Sequence, residues 1–430
     1  MSLQTFDRYE SRVRSYCRSF PTVFEHAEGS RLYDSNGKPY LDFFAGAGVL
    51  NYGHNHPVLK QALLAYIIRK GISHSLDMAT TAKADFLDAF QRHILAPRGM
   101  QDKLQFPGPT GTNCVEAALK LARKVKGREK VISFTNAFHG MTLGALAVSG
   151  NAFKRRSAGI GLSCAVSMPF CGYFGADVDT IRYMDRYLSD YGSGVDLPAA
   201  IIVETVQAEG GLNVADSDWL QRLAAVCRKH DLLLIVDDIQ VGCGRTGSFF
   251  SFEEAGIQPD IVCLSKALSG YGLPLALLLI KPELDIWEPG EHNGTFRGHN
   301  LAFVTAAKTL ELFWSNKHLT RDIAGKSRLL INGLKRIIGS QPAAHARLKG
   351  RGLILGLEFE HPQLATTAAR IAFSHGLLIE TSGSRNQVLK LLPPLTTDRA
   401  ELRAGLEIID VSLRQALGEL QLIPYDAAAN

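Results

Sequence analysis

Several kinds of protein are excluded by what this sequence lacks. Its seven cysteines, Cys17, Cys114, Cys164, Cys171, Cys227, Cys243 and Cys263, are an odd number at irregular spacing without a CxxC pair. That pattern argues against a disulfide framework and a cysteine zinc site, and it fits a reducing, cytoplasmic setting. The first twenty residues are charged and have no apolar h-region, and no window approaches about 18 uninterrupted apolar residues, so neither an export signal nor a membrane span is expected. There is no internal repeat and no low-complexity linker. Charge is nearly balanced, 47 Lys and Arg against 42 Asp and Glu, a net +5 spread along the chain. The densest basic run, Lys120 to Lys130, reads as the solvated face of a helix, and without interleaved aromatics it gives no support for a nucleic-acid partner. His54 and His56 have neither a third ligand nor a cysteine pair nearby, so a loop before Pro57 is expected there and no metal.

What is present is an ordered chain, 46% hydrophobic and 21% charged, whose 430 residues exceed the size at which a single core stops growing. Two lobes are expected. Residues 1–75 form an N-terminal segment in which Tyr33 and Tyr40 to Phe44 flank the turn residues Asp34 to Gly37, a hairpin pattern. From 76 to 315 short apolar runs (Lys130–Phe134, Ala199–Val203, Leu232–Val236, Ile261–Leu264, Leu275–Ile280) alternate with helical spacing such as Leu220, Leu223, Ala224 and Cys227. Unbroken apolar strands separated by helices define an α/β class with a mostly parallel sheet covered on both faces. From 316 to 430 the order is helix, then strands in RGLILGLEFE, GLLIETSG and QVLKLLPPLT, then a helix around Leu402 to Leu417, which reads as a smaller α+β domain.

The chemistry is concentrated where the central strands end. Leu232–Val236 delivers Asp237 and Asp238, Ile261–Leu264 delivers Lys266, and Ala199–Val203 delivers Glu204, all at carboxyl ends where open α/β sheets bind ligands. A buried lysine beside a fixed acid suits a Schiff-base cofactor: the amine holds an aldehyde, and the acid keeps a ring nitrogen protonated. The expected cofactor is pyridoxal 5'-phosphate. In the segment TGTNCVEAALKLARKVK, Asn113 with Glu116 three residues later has the form of a helix N-cap, and the free amides of such a start suit a phosphate. Glycine-rich loops at Gly242–Gly247 and Gly270–Gly272 are expected to let backbone approach the ligand.

These residues together resemble the class III (ω-amino acid) aminotransferases of fold type I. The resemblance runs through NYGHNHP, TGTNCVEAALKLAR, AFHG, VETVQAEGG, VDDIQVGCGRTG, LSKALSGYGLP, GTF and LKLLPPL, covering nearly the whole chain. It implies that Lys266 binds the cofactor and moves the proton, that Asp237 pairs with the pyridine nitrogen, and that Ile239 and Phe138 cover the two ring faces. Gln240 would bond the ring hydroxyl and Gly111 and Thr112 the phosphate, while Thr295 would reach the phosphate of a neighbouring subunit in a homodimer. His139 would be structural, and Arg245 would order its loop.

Within the family, FPGPTGTN, SFTNAFHGMTLGAL and EHNGTFRGHN are most similar to the ectoine-pathway branch. Those enzymes pass the amino group of glutamate to aspartate 4-semialdehyde, yielding L-2,4-diaminobutyrate and 2-oxoglutarate by a ping-pong route through pyridoxamine phosphate. Other ω-aminotransferases (of ornithine, acetylornithine or 4-aminobutyrate) and a fold-related aminomutase are the alternatives. Glu209 matches a mobile glutamate that pairs with an arginine in relatives, but that arginine's position is Lys390 here, which lacks the bidentate fork. The resemblance therefore makes Glu209 and Lys390 the substrate-binding pair and leaves Asn113 where many relatives carry glutamate; because a lysine captures a carboxylate more loosely, Arg385 is a candidate to share that task.

Overall fold

Unbroken runs of Val, Ile and Leu must be covered on both faces. In the computed structural model, which describes residues 3–421, they form one seven-stranded sheet. Its order is Lys103–Gln105, Leu277–Ile280, Ile261–Leu264, Leu233–Asp237, Ala200–Val203, Val131–Phe134, Ala165–Met168. The pairs among the last five strands are parallel, and Leu277–Ile280 runs antiparallel to both of its neighbours. The expected strand at Leu275 starts at Leu277 and is the reversed one. Two strands were not anticipated, because Lys103–Gln105 is only three residues long and Ala165–Met168 carries no apolar run.

Side chains alternate across this sheet with the period of two that a strand imposes. Ile235, Ile261 and Leu278 pack with Val115, Ala118, Leu119 and Ala122 of the helix Gly111–Lys126. Leu234, Val236 and Val262 point the other way, into a core shared with Leu220, Leu223 and Cys227 of Ser217–Lys229 and with Phe303 of Asn300–Trp314. The register sets Asp237 opposite Cys263. Lys266, three residues beyond Cys263, therefore emerges beside Asp237 at one edge.

The expected hairpin is present as Arg31–Asp34 against Pro39–Asp42, and the short strand Leu377–Leu378 pairs with Leu41 and Asp42. After the helix His318–Ser340 comes a four-stranded antiparallel sheet in the order Arg347–Arg351, Ile354–Glu358, Val388–Leu391, Glu380–Ser382. The helix Pro362–Ser374 packs on it, and Arg399–Gln421 packs on that helix and on His318–Ser340. In this sheet Lys390 lies directly opposite Glu380 on one side and Gly356 on the other. His54 bonds Asp42 at 2.7 Å and His56 packs edge-on against Phe313, so the two histidines serve the N-terminal loop. No helix among the described residues is long and apolar enough to cross a membrane.

Candidate active site

Asp237 ends the strand Leu233–Asp237, and Asp238 is the first residue beyond it. Asp238 turns to the backbone of Ser251 at 3.0 Å. Asp237, 5% exposed, accepts from His139 Nδ1 at 2.7 Å and from the Ile239 amide at 3.2 Å. Burial works against a charged His139, but the Asp237 carboxylate outweighs it and raises the imidazole's pKa. The histidine thus fixes the acid's orientation. Glu204, at the end of the adjacent strand, accepts from the Phe138 amide at 2.9 Å. Burial, helped by the charge on Asp237, pushes its pKa up to about 8, so this carboxyl holds its proton at neutral pH.

Lys266 has φ +48°, a left-handed conformation that costs a residue with a Cβ about 1–2 kcal/mol. Such strain persists where surrounding structure holds it, and it clusters at functional sites. Burial lowers the Lys266 pKa, partly offset by Glu209. Lys266, Asp237, Ile239, Phe138, Gln240 and Glu209 line one cavity of about 150 Å³, together with Gly111 and Thr112.

The helix bearing Gly111 and Thr112 is capped three residues before the expected position. Thr110 is its N-cap, and Asn113 Oδ1 accepts from the Thr110 amide at 3.2 Å and from its hydroxyl at 2.8 Å. Asn113 therefore fills the N3 place of a capping box as a neutral acceptor. Glu116, expected in the cap, instead receives the Ala145 amide at 3.0 Å and the Thr142 hydroxyl at 2.5 Å. A Cβ at Gly111 would stand 2.9 Å from Ile239 Cδ1, so any larger residue there would push the Ile239 side chain. Two of the loop glycines serve packing of protein on protein. A Cβ at Gly244 would press on Trp314 and one at Gly270 would overlap Thr309. Arg245 does order its loop: fully buried, it donates to the carbonyls of Leu353 at 3.0 Å and Pro393 at 2.6 Å, and to Asn51.

Behind Glu209 lies Lys390, whose side chain has no exposed surface. Its ammonium is 2.8 Å from Glu209 Oε1 and 2.9 Å from Glu380 Oε1. Burial works against that charge, but the two carboxylates outweigh it and raise the lysine's pKa. Burial likewise opposes the Glu209 charge, which Lys390 and then Lys266 hold down to about 2. Gln240 donates to Glu209 at 3.3 Å and to the Ala47 carbonyl at 3.0 Å. Arg385 is exposed, and its amide is tied to Gln387, so it does not join this group. Thr295 is exposed on a separate loop, where its carbonyl accepts from His74 at 2.9 Å.

Two partners were missed in the sequence. Glu380 closes the strand run GLLIE, and only the antiparallel register brings it to Lys390. Lys154, in the short helix Ala152–Arg156, sets its ammonium 3.9 Å from the centroid of the Phe138 ring, and no local pattern marks it.

These residues fit a phosphorylated pyridine aldehyde. Gln240 Oε1 is buried without a hydrogen-bond partner, free helix amides open at Gly111, and a fixed carboxylate and a pKa-lowered lysine share the cavity. Fold and site together define an enzyme that handles amino groups through a lysine and a buried acid. The chain belongs to the class-III aminotransferases, whose family model matches residues 14–413. It is 57% identical over 422 residues to the "Diaminobutyrate--2-oxoglutarate transaminase" of Bordetella parapertussis, covering 98% of this chain and 97% of that protein. The protein of the same name from Nocardia farcinica is 59% identical over 404 residues, 94% of this chain and 92% of that one. Among solved structures, an ornithine aminotransferase of Toxoplasma gondii, described with PLP at partial occupancy in its active site, superposes with TM-score 0.84. It is 26% identical, over 97% of this chain and 95% of that one.

Proposed function

We propose that this chain catalyses transfer of the amino group of L-glutamate to L-aspartate 4-semialdehyde, giving L-2,4-diaminobutyrate and 2-oxoglutarate. The observation that carries the reading is a carboxylate-binding lysine screened by Glu209, behind a cavity that holds Lys266 and Asp237. The near-full-length relatives named for this reaction support it. The cofactor is pyridoxal 5'-phosphate, which when bound supplies an electron-poor ring that stabilises negative charge on the substrate carbon. Lys266 anchors it and, its pKa lowered by burial, takes the proton from that carbon and returns it.

Asp237, oriented by His139, holds the ring nitrogen's positive charge. Ile239 and Phe138 cover the ring faces, Gln240 offers its unpaired oxygen to the ring hydroxyl, and Gly111 and Thr112 receive the phosphate. Lys390 binds the α-carboxylate of glutamate once Glu209 swings aside, and Glu209 returns when the terminal amine is the substrate. Thr295 completes a neighbouring subunit's phosphate site in a homodimer. The unit boundaries are 1–75, 76–315 and 316–430, and the pairing of Leu377–Leu378 with Leu41 supports grouping the first with the last. The free cysteines are consistent with a cytoplasmic location, and the motif resemblance with a place in ectoine synthesis.

The test is reduction of the PLP-loaded enzyme with borohydride followed by peptide mapping, with products identified by mass. A tag at Lys266 and a diaminobutyrate product are expected. An untagged Lys266 overturns the site, and a different amine product overturns the substrate.

A further inference from the structure

When a substrate carboxylate takes Lys390, the displaced Glu209 carboxylate must go elsewhere, and the backbone leaves it little choice. Its turn, between Val206–Gln207 and Asn213–Val214, is pinned on both sides. The Glu209 carbonyl accepts from the Gly383 amide at 3.0 Å, and the Gly210 carbonyl from the Asn213 side chain at 3.2 Å. Gly210 lies so close on the Asn136 carbonyl that a Cβ would overlap it. Glu209 therefore leaves by side-chain rotation while its turn stays in place. A carboxylate with only 23% of its side chain exposed then needs a new cation. Of the lysines whose charge reaches it, Lys390 is taken and Lys266 serves the cofactor, which leaves Lys154.

Lys154 is mounted on the same strip of backbone. The Gly150 amide donates to the Ala137 carbonyl at 2.7 Å, and Asn151 caps the helix Ala152–Arg156 by accepting from the Lys154 amide at 3.1 Å. Arg155 ties that helix down through the carbonyls of Leu146, Ala147 and Ser149 at 2.8–3.0 Å. Residues 136–138 thus join the Glu209 turn to the Lys154 helix. The Lys154 ammonium stands half-buried over the Phe138 ring and has no acid partner among the described residues. A firmly mounted cation without a counter-ion therefore sits beside a cavity whose wall Phe138 and Glu209 share.

We propose that Lys154 is the second seat of Glu209, whose carboxylate pairs with Lys390 when the terminal amine reacts and with Lys154 when glutamate or 2-oxoglutarate occupies Lys390. This rests on the assignment of Lys390 as the carboxylate site. Lys154 is thus a positioning residue for one half of the reaction. A different task is open to the same cation, and substrate chemistry separates the two. Glutamate and diaminobutyrate each carry a far carboxylate at the third carbon from the reacting one. A Lys154 that gripped this group would serve both substrates alike, whereas a seat for Glu209 serves only glutamate and its keto acid.

The experiment measures the half-reactions with glutamate and with diaminobutyrate over a substrate series, and the dissociation constant of 2-oxoglutarate from the aldehyde-loaded enzyme by calorimetry. The proteins are wild type, Lys154→Gln, Lys154→Arg, Glu209→Gln and the double variant of Lys154→Gln with Glu209→Gln. Lys154→Gln should weaken glutamate and 2-oxoglutarate by about three- to fivefold, as for one partly exposed ion pair, and diaminobutyrate by less than about twofold. Lys154→Arg should restore wild-type binding. With Glu209→Gln already in place, adding Lys154→Gln should change neither substrate, since no charge is left to seat. Equal weakening of both substrates, or a Lys154→Gln penalty that keeps its size in the Glu209→Gln background, overturns the proposal, and the diaminobutyrate reaction reports that the variant folds. If Glu209→Gln alone moves both substrates by the same factor, the assignment of Lys390 falls and the proposal with it. If it separates them and Lys154→Gln does nothing, the proposal falls and that assignment stands.

Discussion

Replacing Glu209 by glutamine separates the two substrates more cleanly than any other single change. A substrate carboxylate must displace an ionised partner that sits 2.8 Å from a wholly buried ammonium. A hydrogen bond to a charged group contributes about 1.5–3 kcal/mol net. Glutamine keeps an oxygen facing Lys390 and its neighbour Gln240, so the lower end applies and glutamate binding should tighten about tenfold. Diaminobutyrate brings no carboxylate to this point, and Glu380 still neutralises Lys390, so its binding should change by less than about threefold. The assay is single-turnover release of 2-oxoglutarate from glutamate and of aspartate semialdehyde from diaminobutyrate, each over a substrate series. If both saturation curves move by the same factor, or glutamate binds less tightly, Glu209 is not the group that competes with the substrate.

Glu204 should give a pH-dependent contribution to stability. Its carboxyl is raised to about 8 from an ordinary 4.5, so across that window the folded state keeps a proton the unfolded chain has shed, and stability falls as pH rises. Glu204→Gln should therefore gain on wild type in urea midpoint between pH 5 and pH 8, and a gap that is the same at both values contradicts the assignment. Asn113→Asp keeps the acceptor for Thr110 and suits the helix dipole by about 0.3–1 kcal/mol. It also adds a like charge beside the cofactor phosphate, worth about 1 kcal/mol or about fivefold in affinity. Dialysis of the loaded enzyme should strip cofactor faster from the variant, and slower loss would mean the phosphate lies elsewhere.

The large sheet was legible because its strands are unbroken apolar runs that end in charges: Asp237 and Lys266 needed only that pattern to be placed side by side. The reversal of Leu277–Ile280 was not, since an apolar run carries no direction. The cap was misplaced by three residues because Thr110 with Asn113 and Asn113 with Glu116 have the same spacing, and only the backbone decides which pair closes the helix. Gly244 and Gly270 looked ligand-facing because positive φ and close approach leave one sequence signature whether the neighbour is a cofactor or Trp314. Glu380 escaped because its partner is set by register across a sheet, and Lys154 because a cation over an aromatic ring has no spacing rule.

The pairing of Glu380 with Lys390 on adjacent strands of the small sheet has a consequence for how such an enzyme diversifies. Asp237 ends a strand of one sheet and Lys266 follows the neighbouring strand, whereas Lys390, proposed to bind the donor's carboxylate, and its partner Glu380 are anchored in another sheet. Exchanges along 380–391 can thus change the diet of the enzyme while its reactive centre stays untouched, which makes this ribbon the natural target for breeding a transaminase with new tastes.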